Sequence, residues 1–386
     1  MALRNSSFFL RFLALGVLAH VYVGLRIIPA VPLGQIWQVG ATLVLVLSCI
    51  LIPLGMLSRS SGRQPWADRL AWAGLLAMGF FSSLFVFTVL RDVVLVGAGL
   101  WRLATGGAPP IRLREVSAMA VPLLALAGSV LGFFNARRLA HVKAVRVPIA
   151  GLPAELEGLR IAQISDIHVG PTIKAPYVQA IVDAVNALNP DIIAITGDIV
   201  DGNVTQLGPH TRPLGELRAP GGVYLVTGNH EYYSGADQWI GELRRLGLKV
   251  LLNEHAVVTI KGQEVVVAGV TDYTAGDFDP AQRSDPQQAL NGAPADAAVK
   301  LLLAHQPRSA LAAAPLGYTL QLSGHTHGGQ FFPWGFFVRL QQPFTSGLHK
   351  QGKLWVYTSR GTGYWGPPMR LAAPSEISLV RLTRAT

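Results

Sequence analysis

The stretch LRIAQISDIHVG, residues 159–170, decides how the rest of the chain is read. Leu159 to Ser165 form a short, mostly apolar run of strand length. The run leads directly into Asp166 and His168, two side chains able to bind a metal or carry a proton, with one residue between them. In α/β sheets the carboxyl ends of strands are where sites are built, so this stretch predicts a sheet whose rim carries chemistry. Working outward, Val178, Ile181, Val182, Val185 and Leu188 recur at the spacing of one helical face. Ile192 to Thr196 and Val223 to Thr227 read as further strands, and Asp237 is placed to cap a helix carrying Trp239, Ile240, Leu243 and Leu246. Strand patterns then dominate, at Lys249 to Leu252, Val257 to Ile260, Glu264 to Val270, Leu301 to Ala304, Thr319 to Leu322, Leu354 to Thr358 and Ile377 to Leu382. An α/β beginning with a β-rich finish predicts an α/β domain built as a two-sheet β-sandwich flanked by helices.

Four more apolar runs end as the first one does. They close on Thr-Gly-Asp198, Thr-Gly-Asn229-His230-Glu231, Ala-His305 and Ser-Gly-His325-Thr-His327. Imidazole nitrogen mixed with carboxylate and amide oxygen suits borderline divalent ions such as Mn, Fe or Zn, and no thiolate accompanies them. Seven donors are too many for one catalytic ion with an open position; they suit two ions about 3.5–4 Å apart that share a bridging carboxylate. Gly197, Gly228 and Gly324 are expected to let the backbone turn sharply before each donor.

The series D-x-H, GD, GNHE, a lone His and GHTH, spread over Leu159 to Gly329, resembles the calcineurin-like metallophosphoesterase superfamily. Carried over residue by residue, the resemblance implies that Asp166, His168 and His327 hold one metal and that Asn229, His305 and His325 hold the other, with Asp198 bridging. His230 matches the histidine that contacts the phosphate and protonates the leaving oxygen, and a metal-bridging hydroxide would attack phosphorus in line. The run GHTHGGQ and the basic lead-in to D-I-H are closest to the bacterial membrane-anchored branch, similar to the pyrophosphatase of the lipid A pathway that acts on a UDP-diacylated glucosamine. Asp201 and Glu231 are expected beside the metals rather than on them. His20, His141, His210, His255 and His349 fit no motif. Phe331, Phe332, Trp334, Phe336 and Phe337 suit either core packing or an apolar lip beside the metals that selects amphiphilic substrates.

The N-terminal part has a different solvent. Half of all residues are apolar and only 14% charged, against about 25% in an ordinary soluble domain. The formal charge of +10 is concentrated upstream: residues 1–150 carry 14 Lys/Arg and 3 Asp/Glu, residues 151–386 carry 18 and 19. That placement, flanking apolar runs, excludes a nucleic-acid surface and marks membrane topology. Spans are expected at about 8–28, 36–57, 70–90 and 116–136, each near the roughly 20 apolar residues that cross a bilayer, with Val93 to Leu100 a helical continuation or an interfacial segment. The division is thus a transmembrane helical region over 1–136, a basic linker over 137–154 and the phosphoesterase domain over 155–386.

With an even number of spans, Arg4, the Arg59/Arg63/Arg69 loop and the cluster Arg137, Arg138, Lys143 and Arg146 share a side, which predicts a cytoplasmic catalytic domain on a bacterial inner membrane. The single cysteine, Cys49, lies in an apolar run and permits no intrachain disulfide. The expected function is phosphoester or pyrophosphate hydrolysis on a phosphorylated amphiphilic substrate among membrane lipids. A catalytically silent metal-binding scaffold or receptor is the alternative.

Overall fold

A computed structural model describes residues 6–58, 64–107 and 112–385. The chain divides into two compact units, Met1–Phe134 with Gly366–Met369, and Asn135–Trp365 with Arg370–Thr386.

The first unit is built from α1 (Ser6–Ile27), α2 (Gln35–Ser58), α3 (Trp66–Thr105) and α4 (Leu113–Arg137). All four are long and apolar enough to cross a membrane. Leu15, Leu25, Val44 and Leu131 are each more than half exposed, the reverse of a helix bundle in water and the expected surface for lipid. Helices α2 and α3 approach closely at Gly55 and Gly74: a Cβ added at Gly74 would meet the Leu51 carbonyl oxygen at 2.5 Å, the small-residue contact that membrane helices use. Helix α3 runs unbroken through Val93 to Leu100, so that segment continues the helix. Asp92 on α3 accepts hydrogen bonds from Tyr22 Oη at 2.7 Å and Arg26 Nε at 2.7 Å. Arg4, Arg59 and Arg63, part of the topology argument, lie outside the described residues.

The second unit starts with β1 (His141–Ile149), β2 (Arg160–Ile164), α5 (Ala175–Ala187), β3 (Ile192–Ile195), α6 (Val204–Thr211), β4 (Val223–Leu225), α7 (Asn229–Ser234), α8 (Ala236–Arg245) and β5 (Lys249–Val250). It continues with β6 (Glu254–Ile260), β7 (Gln263–Gly269), β8 (Val299–Leu303), α9 (Ala310–Ala313), β9 (Leu320–Ser323), α10 (Trp334–Val338), β10 (Gly347–Gln351), β11 (Leu354–Thr358) and β12 (Glu376–Arg384). One sheet has the order β1-β12-β2-β3-β4-β5 and the other β10-β11-β9-β8-β7-β6. Strands β2 to β5 are mutually parallel, as are β7, β8, β9 and β11.

The sheets face each other across Ile161, Ala194, Tyr224, Leu303, Leu322 and Tyr357. Val178 and Ile181 of α5 and Trp239 and Leu243 of α8 cover the first sheet's other face, while Ala310 and Ala313 cover the second. The result is the two-sheet sandwich with outer helices, and its parallel strands all aim their carboxyl ends at the loops bearing the motif residues.

Three local differences from the sequence reading have physical causes. Residues 137–154, expected as a basic linker, contain β1, which pairs in parallel with β12 from His141↔Glu376 to Ile149↔Arg384. Val145, Val147 and Ile149 are buried while Arg146 faces out, so a period-two strand is hidden under the charges of its outer face. Asp237 does not cap α8, because Gly235, left-handed at φ 99°, is the N-cap and Asp237 lies in the first turn. Strand β10 carries Lys and His on a sheet edge and lacks an apolar run to announce it.

Candidate metal centre

Each donor stands at the first residues beyond a strand. Asp166 and His168 follow β2, Asp198 follows β3, Asn229 opens α7 after β4, His305 follows β8, and His325 and His327 follow β9. The loops are laced by backbone bonds: Asp166 N–H donates to Gly197 O at 2.9 Å and His168 N–H to Asp198 O at 3.1 Å. Asp166, His168, Asp198, His325 and His327 all have left-handed backbones, with φ of 54°, 56°, 55°, 70° and 51°. Such positions are uncommon outside glycine and cost about 1–3 kcal/mol each. Here they swing successive side chains out of the strand direction and into one cleft.

Of the glycines expected to provide the turns, only Gly197 is left-handed, at φ 84°. Gly228 and Gly324 act by lacking a side chain. A Cβ at Gly228 would strike the Asp198 carboxylate, and one at Gly324 would strike Ser165 Oγ and the Asp166 carboxylate.

The donors gather in overlapping groups, Asp166 with His168 and His327, His168 with Asp198 and His230, and Asp198 with His305 and His325, their ligand atoms within 4.8 Å of one another in each group. Asp198 and His168 each belong to two groups, and Asp198 Oδ2 lies 3.2 Å from His305 Nε2 and 3.8 Å from His168 Nε2. Asn229 Oδ1 is buried and has no hydrogen-bond partner among the described residues. A buried amide oxygen left unpaired beside imidazoles and carboxylates fits a cation. The donor set therefore accommodates divalent metal in this cleft.

Surrounding groups fix the rings. His305 Nδ1–H donates to Thr196 O at 2.7 Å, leaving Nε2 to face Asp198. Asp201 Oδ1 accepts from His168 Nδ1 at 3.0 Å and from His230 Nδ1 at 2.6 Å. One carboxylate oxygen thus orients a donor histidine and the candidate acid together. Glu231, fully buried, accepts from the backbone N–H groups of Gly228, Asp198, Ile199 and Val200 at 2.6, 2.9, 2.7 and 3.3 Å. Asp201 and Glu231 therefore stand beside the donor cluster, as the sequence reading places them.

Arg370 carries no sequence signal, yet it is completely buried behind His327. Its guanidinium donates to His327 Nδ1 at 3.0 Å and to the carbonyls of His327 and Arg360 at 2.9 and 2.8 Å. Arginine has no acceptor, so His327 Nδ1 accepts. In the metal-free protein the His327 proton then sits on Nε2, which lies 3.0 Å from His168 Nε2.

Charges follow from this packing. Burial works against ionising Asp201, but His168 and His230 outweigh it and hold its carboxyl well below the usual range. For His230, burial lowers and the carboxylates of Asp198 and Asp201 raise; the net is a rise to about 9. Burial, with the His305 charge second, lowers His325 to about 3. Burial, then the Asp198 charge, pushes Glu231 up to about 7.

His230 is more open than His168, His305 and His327, with its side chain 15% exposed. Its ring meets Trp365 at 5.8 Å and Tyr233 at 5.2 Å between centroids. Gln330 anchors Trp365 by accepting from its N–H at 2.9 Å and donating to its carbonyl at 2.8 Å. Phe331 is buried, but Phe332, Trp334, Phe336 and Phe337 are 44%, 44%, 67% and 54% exposed. The aromatic run after His327 is therefore a surface strip with one foot in the core. His255 Nδ1–H donates to Ala289 O at 3.0 Å, away from this cleft, and His141 lies at the start of β1.

Comparison with known proteins follows the same residues. Positions 159–329 match the calcineurin-like phosphoesterase family. The chain is 39% identical over 265 residues to a transmembrane protein with metallophosphoesterase domain from Danio rerio, covering 67% of this chain and 60% of that one. It is 35% identical over 228 residues to a metallophosphoesterase of Aquifex aeolicus, covering 58% of this chain and 85% of that one. Among solved structures, a 5'-nucleotidase precursor from Thermus thermophilus aligns with 58% of this chain and 54% of its own at 19% identity and a TM-score of 0.38. The chain spans about three fifths of the Danio rerio relative, but it covers most of the Aquifex aeolicus one and carries the family's matched region from 159 to 329, and so it belongs to the calcineurin-like metallophosphoesterases.

Proposed function

We propose that this protein is a membrane-anchored, dinuclear metal-dependent phosphoesterase acting on a phosphorylated amphiphile. The observation that carries the catalytic part is the convergence of Asp166, His168, Asp198, His305, His325 and His327 in overlapping groups, five of them left-handed. A fold stores backbone strain of that kind where geometry matters more than stability. Asp166, His168 and His327 would hold one ion and Asn229, His305 and His325 the other, with Asp198 between them. Two such ions, when bound, supply Lewis-acid polarisation of the phosphoryl group and a water nucleophile at neutral pH.

The chain's own residues do the rest. Asp201 holds Nδ1 of His230, so Nε2 is the nitrogen that faces the cleft and delivers a proton to the leaving oxygen. The rise of His230 toward 9 keeps that proton in place at neutral pH. Asp201 also fixes His168, and Glu231 fixes the loop of Asp198, so one pair of carboxylates couples donor geometry to acid geometry. Trp365 and Tyr233 wall the approach to His230 and limit water on that side.

The amphiphilic substrate is supported by the exposed strip Phe332, Trp334, Phe336 and Phe337, which begins five residues beyond His327. The four apolar helices support anchoring. The resemblance to the lipid A pathway pyrophosphatase points to a lipid-linked phosphate, and the N-terminal arginine distribution points to a cytoplasmic catalytic face on an inner membrane.

The test uses the full chain in detergent, loaded with Mn²⁺ and assayed on bis-p-nitrophenyl phosphate and p-nitrophenyl phosphate beside Asp198→Ala. Metal-dependent turnover that Asp198→Ala abolishes is expected, and the two substrates rank diester against monoester. A folded protein that binds metal and turns over neither one, nor a vesicle-borne phospholipid, is a scaffold. The strip is tested by Phe336→Ser with Phe337→Ser: turnover of vesicle-borne substrate should fall at least about 10-fold while p-nitrophenyl turnover holds. Equal rates on the vesicle substrate remove the lipid assignment.

A further inference from the structure

We propose that a cavity beside the turn from the end of α4 into β1 is a binding site for the phosphate headgroup of an anionic phospholipid, separate from the metal centre. This rests on the reading that α4 crosses a membrane. The cavity has a volume of about 270 Å³, and Asn135, Arg138, His141, Arg370 and Ser375 are among its lining residues. That is just under the range of drug-sized ligand sites, about 300–1,000 Å³, so it admits a phosphodiester and its alcohol but not an acyl chain.

The lining residues offer guanidinium, imidazole, amide and hydroxyl groups and no carboxylate. The neighbouring charges are committed elsewhere. Arg137 donates to Thr172 O at 2.8 Å and to Tyr364 Oη at 3.1 Å, and Lys143 pairs with Glu376 at 3.5 Å. Arg138 and His141, both exposed, remain on the cavity side. A guanidinium presents a planar fork that matches two phosphate oxygens at once. The buried Arg370 adds positive charge to the wall while spending its N–H groups on carbonyls and on His327.

Covalent continuity sets the depth. Between Glu115 and Arg137 helix α4 carries no charged residue, so the apolar stretch ends at Asn135–Arg138 and the cavity's first residues emerge where phospholipid phosphates lie. There the local concentration of phosphodiester is far above that of any soluble anion. Anionic lipids add a surface potential that draws cationic groups, at about 1 kcal/mol per Lys or Arg.

The experiment is native mass spectrometry of the full chain in detergent, titrated with phosphatidylglycerol or with phosphatidylcholine of matched acyl chains. The wild type should bind phosphatidylglycerol at least about 10-fold more tightly. Arg138→Gln with His141→Gln should bring it to the phosphatidylcholine level. Arg146→Gln removes an exposed cation from β1 outside the cavity and should leave the affinity within twofold. No preference in the wild type overturns the site. An equal loss in Arg146→Gln overturns it as well, since overall charge is then the cause. Displacement of the lipid by millimolar inorganic phosphate overturns the lipid assignment, because the cavity then takes a soluble anion.

Discussion

Replacing Glu231 with Gln tests whether one buried carboxylate holds the two central loops of the metal centre together. Its oxygens collect N–H groups from both loops: Gly228 and Asp198 on Oε2, at 2.6 and 2.9 Å, and Ile199 and Val200 on Oε1, at 2.7 and 3.3 Å. Glutamine has the same shape but must place an NH₂ on one of those sides. Two backbone donors then face a donor. An orphaned buried donor costs about 1–3 kcal/mol, so the pair costs about 2–6 kcal/mol. Burial and the Asp198 charge raise Glu231 to about 7, so near neutral pH part of the native population already carries a proton there, which moves the expected cost toward about 2–4 kcal/mol. For a unit of about 250 residues each kcal/mol shifts Tm by about 2–4 °C, giving a fall of roughly 4–16 °C. The assay is circular-dichroism melting of the metal-free full chain at about pH 7, where Glu231 is partly protonated, following the transition of the phosphoesterase unit. A fall below about 2 °C refutes the clamp, since the four N–H groups would then have to be satisfied some other way.

Three further outcomes follow from the same geometry. Asp201→Asn removes the charge that orients His168 and His230, and second-sphere changes of this kind cost about 10–100-fold in metal affinity or activity; kcat should drop accordingly, and the alkaline limb of the pH profile should move down because His230 loses a raising carboxylate. Unchanged kcat with an unmoved limb counts against that role. Gly324→Ala pushes a methyl into Ser165 and the Asp166 carboxylate, so metal analysis of the purified variant should show at most about one ion per chain, whereas full occupancy would mean the loop gives way freely. The metal-free protein should lose stability as pH rises above about 6.5, the pKa of an unfolded histidine. His230, raised to about 9, contributes stability that is complete below pH 6.5 and is lost as pH climbs through 9. His325, lowered to about 3, is neutral when folded and loses its share as pH falls from 6.5 toward 3, which Glu231, raised to about 7, offsets down to the usual carboxylate pKa of about 4.3. A melting temperature flat between pH 6.5 and 9 contradicts the His230 shift.

How much of this was legible in the sequence depended on how local the cause was. Strands β2, β3, β8 and β9 showed as apolar runs because both faces of a central parallel strand are buried, and their ends showed because Asp, Asn and His stand out after such runs. Strand β1 did not show, because Lys143 on one face and Arg146 on the other break its apolar pattern at the sheet margin. Arg370 was silent for another reason: its partners, His327 and the Arg360 and Gly363 carbonyls, are set by tertiary folding, and one arginine in a Pro-rich loop has no spacing to give it away.

The division of labour inside the motifs was hidden most deeply. Sequence reasoning assigns backbone freedom to glycine, so Gly197, Gly228 and Gly324 were the natural places for the turns. In the fold the donors themselves adopt left-handed backbones, at Asp166, His168, Asp198, His325 and His327, and two of the three glycines serve by occupying no space beside a carboxylate. The two facts belong together. A donor that turns back into the cleft brings its carboxylate or ring against the strand end next door, and only a residue without Cβ leaves it room. The motifs GD, GNHE and GHTH are thus steric pairs: a strained donor in one loop and the vacancy it needs in that loop or the next. That is why a glycine-to-alanine change at Gly228 or Gly324 should injure the metal centre while leaving the sheets beneath it intact.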